Sequence, residues 1–275
     1  MKDTSSPDLA MSTGRHRLAA VLRLAGEFVT VDQASSALRV GRVAAAKTLA
    51  RWAGQGWLRR IRRGLYAPVP LAASASDQVI EDPWTLVPEL FAPAYVGGLS
   101  AAQHWDLTEQ LFRPVFVYTA RSVRQTDQTL HGTPFSVHHV APDMIFGTQP
   151  LWRGRVKIQV SDVHRTVIDM LADPHTAGGP RQVADSVRDY FRRQDADPTR
   201  LIAYAGRLGN GAVFKRLGCL SEMVGAPEAV TTACRERLSA GYARLDPSTP
   251  CPRLVRRWRI WVPASWKPGR PGTAA

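Results

Sequence analysis

The chain has 275 residues, of which 44% are hydrophobic and 21% charged, and its net charge is +13. That length can bury two modest cores, and the composition is that of a globular protein and not of a disordered one. No apolar run approaches the roughly 18 residues that a membrane-spanning helix needs. The polar start MKDTSSPDLAMSTG has no apolar centre like that of a signal peptide, so the expected location is the cytoplasm.

The charge is unevenly spread. Residues 1–66 carry 12 Lys and Arg against 4 Asp and Glu, and residues 235–275 carry 9 against 2. Between them, residues 67–234 hold 15 against 17. A solvated surface gains little from such segregation, whereas a polyanion partner exploits it, because each neutralised phosphate releases condensed counterions. Cys219, Cys234 and Cys251 are odd in number and far apart, and read as reduced thiols without a zinc site or a disulfide framework.

Residues 1–14 are expected to be disordered. From residue 15, RHRLAAVLRLAG places Leu18, Val21, Leu22 and Ala25 at helical spacing, with Gly26 as a stop. Thr30 can cap a short helix, VDQASSAL, with Val31, Ala34 and Leu38 inward. After a turn at Arg39-Val40-Gly41 comes a third helix, with Val43, Ala46, Leu49, Ala50 and Ala53 read as its inner side. Arg42, Ala44, Ala45, Lys47, Thr48 and Arg51 form its outer face. Trp57 and Leu58 then open a strand, WLRRIRRGLYAPV, in which Arg59, Arg60, Arg62 and Arg63 crowd a hairpin closed by Gly64.

Helix, helix, glycine-containing turn, helix and strand pair is the layout of a winged helix-turn-helix over residues 15–69. Its DNA-contacting residues are expected to be Arg42, Lys47, Thr48 and Arg51 on the third helix, with Arg59, Arg60, Arg62, Arg63 and Tyr66 in the wing.

Residues 70–82, small and polar, read as a linker. A larger mixed α/β domain is expected over 83–263, which makes the whole an α+β protein. AYVGGLSAAQHWDL (94–107) reads as a turn running into a helix with Ser100 as its cap. Strands are expected at 114–120, 135–142, 155–162 and 254–263, and helices at 163–173, 180–193, 198–208 and 210–225. Residues 264–275 read as a disordered tail. Lys215, Arg216, Arg253, Arg256, Arg257 and Arg259 are candidates for a second phosphate-contacting surface, the alternative being a charged edge strand protected from aggregation.

Signatures of catalysis are thin. H-E-x-x-H, Walker A and G-x-G-x-x-G patterns are missing, and no Asp or Glu is followed two positions later by Lys. Asp195-Ala196-Asp197 lacks an upstream Gly-Ser and reads as a solvated turn. His138 and His139 in a strand point to opposite faces, and His104 and Asp162 read as packing and capping residues. No catalytic residue, cofactor or metal is expected. The competing enzyme reading, a nucleic-acid-processing activity delivered by the winged helix, would rest on Asp143, Asp162 or Asp169.

The order R-G-L-Y-A-P (63–68), D-P (82–83), G-G-L-S-A-A-x-x-W-x-L (97–107), D-V-H-R-T-V-I-D-M-L (162–171) and K-R-L-G-C-L-S-E (215–222) resembles the AbiEi family, the antitoxins of type IV abortive-infection toxin–antitoxin systems. The resemblance implies a winged helix that binds inverted repeats in the operon's own promoter and represses it. It also implies a C-terminal antitoxin domain that helps on DNA, and a nucleotidyltransferase-like toxin encoded next door. The expected partners are therefore double-stranded promoter DNA and that toxin, opposed functionally or by contact, with the protein a monomer or weak dimer. A module that binds the toxin without binding DNA is a further alternative.

Overall fold

The computed structural model describes residues 7–25, 28–69, 82–130 and 132–266. Most of the expected linker and the last nine residues lie outside them. Two compact units are present: one of residues 1–85 with the short segments 130–133 and 152–157, the other of the remainder.

In the first unit α1 (Pro7–Leu24) begins eight residues before the expected start at residue 15. Proline suits a first helical turn, and residues 8–13 hold neither Pro nor Gly to stop a helix. Gly14, inside α1, lets the Trp57 ring approach: a Cβ there would lie 3.2 Å from it. After β1 (Val29–Thr30), Thr30 caps α2 (Val31–Leu38). Its side chain accepts from Gln33 N at 3.2 Å while the Gln33 amide oxygen accepts from Thr30 N at 2.8 Å, a reciprocal capping box. Arg39, left-handed at φ 52°, ends α2 and turns the chain into α3 (Arg42–Gly54).

β2 (Leu58–Arg62) and β3 (Leu65–Pro68) form the wing hairpin, with Gly64 at φ 83° in its turn. β1 pairs with β3, giving a three-stranded sheet of order β1-β3-β2. Val21, Ala34, Leu49, Trp52, Leu58 and Tyr66 close one core between helices and sheet. Burying a side chain such as Leu49 contributes about 2–3 kcal/mol.

The second unit starts with α4 (Val87–Phe91), β4 (Ala94–Val96), α5 (Gly98–His104) and β5 (Val115–Thr119). The chain continues with β6 (Asp127–Leu130), β7 (Thr133–His139), β8 (Thr148–Arg153) and β9 (Val156–Ser161), whose residues 130, 133, 152–153 and 156–157 fall in the first unit. These strands make a six-stranded mixed sheet of order β6-β7-β5-β4-β9-β8, with β4–β5 antiparallel and both β4–β9 and β5–β7 parallel. Gly97 lets α5 follow β4 closely, because a Cβ there would come within 2.8 Å of Tyr95 and Tyr118.

Five helices follow: α6 (Val163–Ala172), α7 (Gly179–Arg192), α8 (Pro198–Leu208), α9 (Gly211–Val224) and α10 (Glu228–Glu236). Then come β10 (Ala243–Arg244), β11 (Arg253–Val255) and β12 (Ile260–Val262) in a small sheet of order β10-β12-β11. Apolar faces of α6, α7 and α9 meet in a second core with Trp258, Ile260 and Val262.

The fold class is the expected one, with three local differences. Ser100 does not cap α5. Its hydroxyl accepts from Phe116 N at 2.9 Å and so ties α5 to β5. The strand expected at 254–263 is broken into β11 and β12 by a 3-10 turn over Arg256–Trp258, and Arg259 reverses the chain at φ 50°. Within the tail expected to be disordered, Trp266 is buried.

Candidate nucleic-acid interface

The exposed side of α3 is Arg42, Val43, Ala44, Lys47, Ala50 and Arg51. The buried side is Ala45, Thr48, Leu49 and Trp52, an i, i+3, i+4, i+7 stripe. The face read from sequence was therefore turned by part of a helical step. Trp52 was left out of that reading, and it is the largest apolar group on the helix, so it sets the inward direction. Thr48, expected at DNA, is buried, and its hydroxyl donates to Ala44 O at 2.9 Å. Val43 is 73% exposed where an inward residue was expected.

Arg42 forms an ion pair with Asp32 of α2, and both side chains are exposed. Such a surface pair contributes below about 1 kcal/mol and does not hold the guanidinium away from a phosphate. Lys47 and Arg51 are exposed and, among the described residues, have no ion-pair partner.

In the wing, Leu58 and Ile61 point into the core and Arg60, Arg62 and Arg63 point out, while Arg59 is half-buried. The irregularity in register between Arg60 and Arg62 makes this possible, since strict alternation would place Arg60 and Arg62 on the same side as Leu58. Tyr66, expected at DNA, is buried instead. It lies in the core opposite Val29 on one side and Arg60 on the other. Five cations thus stand out from α3 and the wing: Lys47, Arg51, Arg60, Arg62 and Arg63. No acidic residue occurs in the sequence between Asp32 and Asp77.

The six residues expected to form a second basic surface are divided: Arg253, Arg256 and Arg257 are exposed and Arg259 is half-buried. Lys215 and Arg216 are buried. Lys215 Nζ donates to Gly241 O at 2.6 Å and Ser239 Oγ at 2.7 Å. Arg216 donates to the carbonyls of Leu171, Ala172 and Arg244, and burial lowers its pKa. Arg257 Nε is held by Glu222 at 2.7 Å, Arg253 by Trp266 O at 2.6 Å and Arg259 by Ser239 O at 3.0 Å. Arg256 is exposed at the 3-10 turn. Lys215 and Arg216 act as internal ties, which a charge count along the chain does not distinguish from exposed cations.

Two of the three carboxylates of the enzyme reading, Asp162 and Asp169, are engaged by other side chains or backbone. Asp162 caps α6, accepting from Arg165 N at 2.7 Å, and takes a second hydrogen bond from the Tyr204 hydroxyl at 3.0 Å. Asp169 is buried beside Arg165, with Nε to carboxylate at 2.8 Å, and Tyr95 donates to the same carboxylate at 3.1 Å. Burial pushes Asp169 up to about 6, opposed in part by Arg165. The Arg165 guanidinium also lies 4.1 Å from the centre of the Phe146 ring. Asp143 is exposed in a 3-10 turn. Asp197 caps α8, and Asp195 pairs with Arg193 at 2.7 Å. Among the described residues no group of three His, Cys, Asp or Glu side chains could hold a metal ion.

The Tyr95–Arg165–Asp169 cluster was not foreseen, because Tyr95 lies some 70 residues from its partners and no local pattern marks it. The spacing of Arg165 and Asp169, i and i+4 on a helix, was the one signal available.

Residues 16–69, the segment that carries the five outward cations, match the family described as "Transcriptional regulator, AbiEi antitoxin". Over these residues the winged helix is similar to the AbiEi antitoxin regulators. Beyond it, the fold of the whole chain is similar to the crystal structure of the RV2827C protein from Mycobacterium tuberculosis. The TM-score is 0.64 at 15% identity, with 91% of each chain covered, a likeness of fold. No curated protein matches the chain. The AbiEi-type match ends at residue 69, so the C-terminal motifs are accounted for by packing: Gly97 by the approach of two tyrosine rings, and Gly218 by the Trp258 ring laid directly against α9. No helix among the described residues is long and apolar enough to cross a membrane.

Proposed function

We propose that the chain is a DNA-binding autorepressor and the antitoxin of a toxin–antitoxin pair. In this reading it acts in the cytoplasm on inverted repeats in its own promoter, as a monomer or weak dimer, and opposes a nucleotidyltransferase-like toxin from the same operon. The observation that carries the proposal is the set of five outward cations, Lys47, Arg51, Arg60, Arg62 and Arg63, on an AbiEi-type winged helix. Lys47 and Arg51 lie one turn apart on α3, where an inserted helix presents side chains to base edges. The wing arginines supply phosphate contacts, which add affinity without reading sequence. Two of the three carboxylates that the enzyme reading needs, Asp162 and Asp169, serve as a cap and an ion-pair partner, which favours a binding role.

Binding of the full-length protein to the duplex upstream of its own gene, against a scrambled duplex of equal length, tests the proposal. K47A/R51A is expected to lose discrimination between the two duplexes, by roughly 1–3 kcal/mol for each base contact removed. R62A/R63A is expected to weaken both equally and to lower the salt slope by about two units. Equal affinity of the unaltered protein for the two duplexes would refute the operator-binding reading.

A further inference from the structure

The β8–β9 hairpin has the chemistry of the wing and no role in the account so far. From Met144 to Ser161 the sequence has no acidic residue but has Arg153, Arg155 and Lys157. The strands are joined by the two residues Gly154-Arg155, with Gly154 at φ 56°, as a tight hairpin turn requires. A two-residue connection sets Arg153 opposite Val156 and hence Trp152 opposite Lys157, on one face of the ribbon.

Arg153 is engaged: its Nε lies 3.6 Å from the Asp82 carboxylate, and its guanidinium lies 5.4 Å from the centre of the Trp84 ring. Arg155 and Lys157 are exposed and, among the described residues, have no ion-pair partner. Trp152, their neighbour, is 63% exposed. A lone surface tryptophan is ordinary. Here it shares a projecting tip with two open cations, and residues 152–157 belong to the same compact unit as the winged helix.

We propose that this hairpin end is a second DNA-contacting element, in which Arg155 and Lys157 take phosphates of a duplex and Trp152 packs its ring against the sugar edge. Charge complementarity selects duplex DNA as the occupant, and this step rests on the DNA-binding reading above.

The test is a salt series of full-length protein on a random-sequence duplex, since phosphate contacts are sequence-independent. R155Q/K157Q is expected to lower the slope by about two units, near 0.9 for each phosphate contact, and to weaken binding at least roughly tenfold at 0.1 M salt. R155K/K157R keeps both charges and retains the slope. W152A weakens binding by a similar factor at every salt concentration. R188Q/R192Q removes two exposed charges from α7 and controls for a general loss of charge.

If the hairpin variant changes the slope no more than the α7 variant, while R62A/R63A lowers it, the hairpin proposal fails and the winged-helix reading stands. That result would assign Arg155 and Lys157 to another anionic partner. If the unaltered protein shows no salt-dependent duplex binding, both fail together.

Discussion

His164 shows what burial does to a single titratable group. It is buried on α6, its Nδ1 lies 2.8 Å from the Tyr190 hydroxyl of α7, and burial lowers its pKa below the ordinary histidine value. A folded pKa below the unfolded one means that the unfolded chain binds the proton more readily. The contribution of His164 is therefore fully present above the unfolded value near 6.5 and is lost as pH falls below it. Melting curves between pH 7 and 5 are expected to show a smaller fall for His164→Gln than for the unaltered protein. An equal fall in both would mean that His164 titrates alike in the two states. Cys219 and Cys234 sit at the opposite extreme, their thiols pushed up to about 12 by burial, and all three cysteines are free, as the sequence indicated.

At the level of elements, the caps Thr30 and Asp162 were legible, whereas Asp197 reads as a solvated turn in sequence, Ser100 is no cap, and α1 starts eight residues before its expected start. Thr30, Asp162, Asp197 and Asn210 all accept from a backbone N–H in the first turn of the helix they precede, and this chemistry is local in sequence. Thr30→Ala is expected to cost about 1 kcal/mol in chemical denaturation of the N-terminal unit, because it removes the hydroxyl that accepts from Gln33 N and leaves only the backbone half of the capping box. A change well below that would mean that solvent replaces the cap. The facing of α3 was less legible, since alanines serve on either side of a helix and the deciding residue was Trp52. The C-terminal segment was misread as one strand because its bend depends on Arg259 adopting a left-handed conformation, which residue type does not announce.

Across the whole molecule, the net charge of +13 overstates what a polyanion can meet. At the C-terminal end Arg257 is bonded to Glu222 and Arg253 and Arg259 to carbonyls, whereas Lys47, Arg51, Arg60, Arg62 and Arg63 are exposed on the N-terminal domain. A slope of log affinity against log salt of about −4.5 is expected from the five exposed cations of α3 and the wing, and about −6 with the hairpin. A value steeper than these by several units would show that the C-terminal arginines leave their internal partners on binding.

The sequence by itself determined the winged-helix plan and the helices α6 to α9, because periodicity, caps and turn glycines are written within a few residues of one another. It also located the positive charge along the chain. Only the tertiary structure decided which charges remain free. The partners of Arg216 and Arg257, and of Arg165 with Tyr95, come from distant parts of the chain and meet only when the sheet and helices pack. For the same reason the hairpin of Trp152, Arg155 and Lys157 emerged late. Its three residues are ordinary in sequence, and the fold alone sets them together at one exposed turn.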